Sequence, residues 1–370
     1  MKNNTILILG GYGEAGRQIA YYLLKESDVR LILAGRNLDK ARAVATNLNT
    51  ASSSQRVKAE QLDAADQAGL ESVFAHVQMV VVASSTSLYT RNVAQAALNS
   101  GIDYLDIQYS TTKLEILKSL AEQIRQRGLC FISEGGFHPG LPAAMVRHIA
   151  LEFDQLVTAH VGSVIKVNWG ALQLSPVTIE EFVLEMLAFQ PVCYRNGNWQ
   201  RSWKNRRSFD FGEVFGKQKG TTMLLEELKL LPELYPSLKE TGFYVGGFNW
   251  FVDNILMLPS MLVLGIWRER AIRPISHLLH WGLRKFSHPP FGTQLLLEAG
   301  GYKNNQFVAK RLKIEHHDGY LLTALPVVAC LLQYLSGSIR KPGLWMQGNI
   351  VEPKQFFKDL QRMGVRVEIH

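Results

Sequence analysis

Gly11, Gly13 and Gly16 fit the spacing G-x-G-x-x-G, with Tyr12, Glu14 and Ala15 between them. They follow an apolar run, Thr5 to Leu9, and precede a helical pattern, Arg17 to Lys25. Strand, glycine turn and helix in that order make a cradle for a pyrophosphate. Gly11 allows a tight turn, and Gly13 lets the backbone approach the anion. Gly16 lets the helix lie close to the strand, with its N-terminal N–H groups facing the phosphates. The same residues without a ligand would be an ordinary glycine-rich turn, but the flanking strand and helix are the context that a dinucleotide site requires.

The second strand, Val29 to Ala34, runs into Gly35-Arg36-Asn37. NAD sites usually place a carboxylate there to accept from the ribose 2′-OH. The first acid here is Asp39, inside the next helical pattern. Arg36 instead offers a guanidinium for a 2′-phosphate, so NADP(H) is the expected cofactor. The alternative is a solvated loop cation.

Hydride transfer needs a nicotinamide held against an electrophilic carbon and a group that donates a proton or stabilises charge. His138, in the loop after the last strand of the series, is expected to titrate near neutrality. Tyr104 and Asp106 alternate along one strand and point to the same face. Each has a plain alternative: a turn hydrogen bond for His138, a cap or loop anchor for Asp106, and packing for Tyr104. The sequence His316-His317-Asp318 is not read as a metal site. Adjacent histidines are expected to point apart and no third ligand sits at a productive offset, so Asp318 reads as the N-cap of an apolar helix, Tyr320 to Tyr334.

The frame for these residues is an alternation of strand and helix over 1–137. Strands are expected at Val57 to Leu62, Met79 to Ala83, Asp103 to Ile107 and Leu129 to Ser133, with helices at Leu38 to Leu48, Gln67 to His76, Arg91 to Ser100 and Leu114 to Gln126. Met79 to Ala83 is wholly apolar, as a buried parallel strand would be. The fold class is therefore α/β, a doubly wound parallel sheet. Ligands sit outside the carboxyl ends of such strands. By that rule Ser84, Ser85, Asp106 and the turn Glu134 to Pro139 face the cofactor.

A chain of 370 residues has room for two domains. Cys130, Cys193 and Cys330 are too far apart for a metal or disulfide framework, and no charged and apolar leader precedes the first strand. A reducing cytoplasm is the expectation. The net charge of +8 is concentrated in Arg195 to Lys219 and Arg268 to Lys285. With no nucleic-acid module recognisable, nucleic acid is not an expected partner, and NADP phosphates or a lipid surface account better for the surplus. Trp250 to Ile266, WFVDNILMLPSMLVLGI, has one charge and one proline. It reads as a buried or dimer-forming helix, as a peripheral membrane contact continuing to residue 285, or as the wall of an apolar substrate tunnel.

Several segments together resemble the saccharopine dehydrogenase family: Gly10 to Arg17, Ala34-Gly35-Arg36-Asn37, Gly101 to Asp106, Gly136-Phe137-His138-Pro139-Gly140-Leu141, Lys341-Pro342-Gly343, and Phe356 to Val367. The likeness is strongest in the N-terminal part and weaker across the middle. It implies an NADP-binding Rossmann domain over 1–138 and a second α/β domain over 139–339, whose mixed sheet serves substrate binding and dimerisation. It also implies a C-terminal segment, 340–370, that packs back on the first domain. Amine-forming members tend to show an acid before the Pro-Gly, where this chain has His138, so saccharopine itself is not the expected substrate.

The expectation is an NADP(H)-dependent oxidoreductase, saccharopine dehydrogenase-like, acting on a C=C, C=O or C=N bond of a hydrophobic small molecule, and forming a homodimer. Gly11, Tyr12, Gly13, Glu14, Ala15, Gly16, Arg36, Asn37, Asp63, Ser84 and Ser85 would hold the cofactor. His138, Asp106 and Tyr104 would serve catalysis, with no metal. The alternative is a non-catalytic NADP-binding sensor or a membrane-associated interaction protein.

Overall fold

The computed structural model describes residues 4–370 apart from 171–175, 188, 248 and 250. Trp250, the first residue of the apolar segment singled out above, thus lies outside the described residues. Six strands alternate with helices at the start of the chain: β1 (Thr5–Leu9), β2 (Arg30–Gly35), β3 (Val57–Gln61), β4 (Met79–Val82), β5 (Asp103–Asp106) and β6 (Cys130–Ser133). Eight more follow: β7 (Gln155–Lys166), β8 (Val192–Arg195), β9 (Asn198–Arg201), β10 (Arg206–Asp210), β11 (Lys217–Met223), β12 (Glu240–Val245), β13 (Gly292–Lys303) and β14 (Gln306–His316). The chain closes with β15 (Gly343–Met346) and β16 (Arg366–Ile369). It divides into two compact units.

The first unit comprises the chain up to Ala144 together with Tyr320–Gly364. Its seven strands run in the order β15-β6-β5-β4-β1-β2-β3, and every pairing is parallel. Strands β1, β4, β5 and β6 are buried along their whole length, as strands covered by helices on both faces must be. The strand order reverses beside β1, and there the carboxyl ends open a crevice for a ligand. The helix after β1 is Glu14–Glu26, three residues longer at its start than the apolar periodicity suggests. Glu14, Ala15 and Gly16 are thus its first turn.

The returning segment is longer than 340–370 at one end and shorter at the other. The helix Gly319–Leu335 buries Leu322, Leu325, Val328, Leu331 and Tyr334, so it has no face left for solvent and joins the core of the first unit from Tyr320 onward. The Tyr334 hydroxyl donates to Asp103 Oδ2 at 2.6 Å, and Arg340 Nε donates to the same oxygen at 2.8 Å. Asp103, on β5, therefore fastens this segment beside the sheet. Residues Val365–His370 instead belong to the second unit, because β16 pairs with β14 there.

The second unit, Met145–Gly319 with that last strand, is built on a nine-stranded mixed sheet. Strands β12 and β7 are parallel, and the other pairings are antiparallel. Strands β13 and β14 meet through Asn304 and Asn305, both at positive φ, as a two-residue hairpin demands. Leu256, Leu264, Ala271, Ile275, Leu279 and Leu283 form a separate helical core with Val183. The fold class is thus α/β, with a parallel sheet and a mixed one. One local expectation fails: the rings of His316 and His317 do not point apart but stack at 4.4 Å. Strand alternation stops at His316, the last residue of β14, and the bend beyond it turns His317 alongside.

Candidate cofactor and active site

The glycine loop is assembled from the backbone. Gly10 N donates to Ala34 O at 2.7 Å, Gly11 N to Ile8 O at 3.1 Å, and Gly13 N to Gly10 O at 2.9 Å. The tight turn falls on Gly10, at φ +84, one residue before the place expected for it. A Cβ on Gly16 would collide with the Gly10 carbonyl oxygen, so that position closes the helix onto the loop. Gly13 is the N-cap of Glu14–Glu26 and brings no side-chain acceptor to the first turn. The open N–H groups and the positive end of the helix dipole fit a pyrophosphate. Exposed Glu14 turns its carboxylate to Arg17 at 2.7 Å.

The end of β2 fits the ribose side of the same ligand. The Tyr12 ring lies on Gly35, where a Cβ would strike it, and its hydroxyl accepts from Asn37 N at 3.2 Å. Asn37 caps the helix Leu38–Ala51 by accepting from Lys40 N at 2.9 Å. Gln61 Nε2 donates to Arg36 O at 3.2 Å, so the Arg36 backbone is fixed while its side chain stands in solvent. Asp63, beyond β3, is also exposed and ties its own turn by accepting from Ala65 N at 3.0 Å.

The loops after β4, β5 and β6 are brought together, as their sequence positions require. Ser84 Oγ lies 3.1 Å from Thr86 Oγ1, and Ser85 is exposed beside it. Gln108 Nε2 donates to Ser84 O and, at 3.3 Å, to Thr86 Oγ1. Gly135 N donates to Asp106 O at 2.7 Å. Gln347, buried, then grips the β6 loop from the returning segment: Oε1 accepts from Gly136 N at 3.3 Å and Nε2 donates to Gly136 O at 3.1 Å.

Two of the three residues expected to serve catalysis are framework instead. Asp106 is fully buried and its carboxylate is saturated. Oδ1 accepts from Lys113 Nζ at 2.7 Å, Glu134 N at 3.1 Å and Gln108 N at 3.3 Å, and Oδ2 accepts from Ser133 Oγ at 2.9 Å. Tyr104 stacks on Phe131 at 5.1 Å within the core. Burial, and then the neighbouring Asp106 carboxylate, hold its hydroxyl proton far more tightly than in a free tyrosine. Both side chains are enclosed by the protein. The same-face reading of the pair agrees with the influence of the Asp106 carboxylate on the Tyr104 hydroxyl.

His138 stacks on Phe137 at 4.1 Å. Burial pushes its pKa down to about 4, so it does not titrate near neutrality as expected: the imidazolium would lose its hydration there. The linkage sign follows. The folded pKa of about 4 lies below the 6.5 of an ordinary histidine, so between those pH values the unfolded chain binds more protons. The contribution of His138 to stability is full above pH 6.5 and is lost as pH falls toward 4. Urea midpoints measured across that range are expected to fall with pH, and less so in His138→Asn. Parallel curves for the two proteins would refute the assignment.

Lys113, Gln108, Ser133 and Gln347 escaped the sequence reading. Only Lys113 left a trace. A cation in the first turn of a helix opposes the helix dipole, and Lys113 stands there, its N–H donating to the N-cap Ser110 Oγ at 3.3 Å. Its ammonium is spent on Asp106, Gln108 O at 2.6 Å and Ser133 Oγ at 2.8 Å. Among the described residues no group of three His, Cys, Asp or Glu is placed to hold a metal ion.

Residues 6–128 match the family model for the saccharopine dehydrogenase NADP binding domain. Over its full length the chain is similar to apo saccharopine dehydrogenase (L-Glu forming) from Saccharomyces cerevisiae, with TM-score 0.70, 15% identity and 99% of each chain covered. It is more distantly similar to a DAP dehydrogenase of C. glutamicum in complex with DAP, with TM-score 0.47, 10% identity, and 98% of this chain and 100% of that one covered. No curated protein matches. Residues 6–128 are thus similar to an NADP-binding domain, and the chain as a whole shares the fold of saccharopine dehydrogenase. The glycine loop, the open helix N-terminus and Arg36 are residues that fit that dinucleotide.

Proposed function

We propose that this chain is an NADP(H)-dependent oxidoreductase that transfers hydride to a C=C, C=O or C=N bond of a hydrophobic small molecule. The observation that carries the reading is the convergence, at the carboxyl ends of one parallel sheet, of a dinucleotide cradle and a rigidly anchored histidine loop. Bound NADPH would supply the hydride. The glycine loop and the first turn of Glu14–Glu26 would hold its pyrophosphate, and Arg36 its 2′-phosphate.

His138 is neutral at physiological pH, so its part is to orient the acceptor atom through a hydrogen bond rather than to deliver a proton as imidazolium. Its stacking on Phe137 fixes the ring. Asp106, Lys113 and Gln347 position it by fixing the loop it stands on. Between Glu134 and Pro142 there is no Arg or Lys to pair with a substrate carboxylate, which favours an apolar substrate over an amino acid.

The test is NADPH consumption by the purified protein with a panel of cyclic imines, enones and long-chain ketones, beside a direct NADPH titration. Tight NADPH binding, with turnover on at least one apolar acceptor and a loss of kcat in His138→Asn, is the expected result. Tight binding with no consumption across the panel would instead make the protein a non-catalytic NADP sensor.

A further inference from the structure

The outward side of residues 255–267 carries no charge. Ile255, Leu262, Val263, Ile266 and Trp267 are exposed, Ile266 by 71% and Leu262 by 69%. Leu262, Val263 and Ile266 share one side of the helix Met257–Ile266, and Ile255 and Trp267 stand at its two flanks. The inward side is already satisfied, since Val252, Leu256 and Leu264 pack with Ala271, Ile275, Leu279 and Leu283. The exposed side chains are therefore not unfinished core. Scattered exposed apolar residues are ordinary, but a contiguous run of this kind marks a surface that meets something apolar.

The next helix, Arg268–Phe286, changes the character of the surface. Its exposed side bears Arg270, Arg273, His277, Leu278, Trp281, Arg284 and Lys285. Arg273 is 84% exposed and reaches Glu180 only at 3.7 Å. Trp281 stands edge-on to Phe251 and Phe286, which stack at 4.2 Å. An uncharged apolar side thus adjoins a cationic one, with indole rings on both.

We propose that these two helices dock the protein on the surface of an anionic phospholipid bilayer. Ile255, Leu262, Val263 and Ile266 enter the boundary between headgroups and acyl chains, and Trp267 and Trp281 lie at headgroup level. Arg270, Arg273, Arg284 and Lys285 meet the lipid phosphates. Among the described residues no helix is long and apolar enough to cross a membrane, so the contact is peripheral. A second copy is the less suitable occupant, because a two-fold interface sets a patch against itself and would bring the cations face to face. Docking does not rest on the oxidoreductase reading and would survive its failure.

The full chain is floated with vesicles of phosphatidylcholine alone and with vesicles in which one third is phosphatidylglycerol. Binding is expected to be at least ~10-fold stronger to the anionic vesicles and to weaken as salt is raised. Leu262→Asp with Ile266→Asp is expected to abolish it. Arg284→Gln with Lys285→Gln, both at exposed positions, is expected to lower binding about 10-fold while leaving NADPH affinity unchanged. Equal binding to both vesicle types would overturn the proposal. So would no binding to either, and a wild-type dimer made monomeric by Ile266→Asp without vesicle binding would assign the face to a second copy.

Discussion

Replacing Lys113 by methionine is expected to cost about 3–5 kcal/mol, the range seen when one partner of a buried ion pair is removed. The ammonium and the Asp106 carboxylate meet at 2.7 Å, and both side chains are 0% exposed. Methionine fills much the same volume but leaves a carboxylate without its cation, and Ser133 Oγ and Gln108 O without a donor. Against a typical total of about 5–15 kcal/mol, that loss is severe. Removing the Asp106 charge as well, in Lys113→Met with Asp106→Leu, is expected to recover only part of it, because Glu134 N and Gln108 N would lose their acceptor. The comparison is Arg125→Ala. Arg125 pairs with Glu122 at 2.6 Å, but both side chains are more than half exposed, and solvent screening leaves such a pair little to contribute. Urea denaturation of the three variants decides the matter: a change below about 1 kcal/mol for Lys113→Met would mean that the buried pair is not the anchor of the two loops.

Arg36→Ala is expected to weaken NADPH binding by about 10–100-fold, the value of a charge-assisted hydrogen bond of about 1.5–3 kcal/mol. NADH affinity should stay the same, since NADH has no 2′-phosphate. Arg36 is exposed, so stability should not change, and the effect can be read without a folding correction. Arg36→Asp should go further, rejecting the phosphate and offering an acceptor to a free 2′-OH. Titrating wild type and both variants with each nucleotide, followed by nicotinamide fluorescence, provides the check. Equal weakening of NADPH and NADH by Arg36→Ala would show that Arg36 shapes the loop rather than reading the phosphate.

Much of the N-terminal unit was legible because its signals are local. The run Thr5 to Leu9 is β1 as read, and the helices after β2, β4 and β5 lie within a few residues of their expected bounds. Apolar periodicity and the absence of an acid after β2 are properties of neighbouring residues, and no distant contact is needed to read them. The glycine spacing was legible for the same reason, although the sharp turn itself fell on Gly10.

Other features depend on residues far apart in the chain. The chemistry of Asp106 changed because Lys113, Ser133 and Glu134 surround it. His138 lost its expected pKa because the fold removed its water. The reach of the returning segment was set by Asp103, which holds Tyr334 and Arg340, and Gln347 came from that segment to grip Gly136. The sequence by itself determined the parallel sheet, the dinucleotide cradle and the preference expected of Arg36, since spacing and residue type decide these within a turn or a strand. Which polar residues are free for chemistry and which are consumed in holding loops was decided only by the tertiary structure, because burial and saturation of a carboxylate depend on donors that the chain brings from elsewhere.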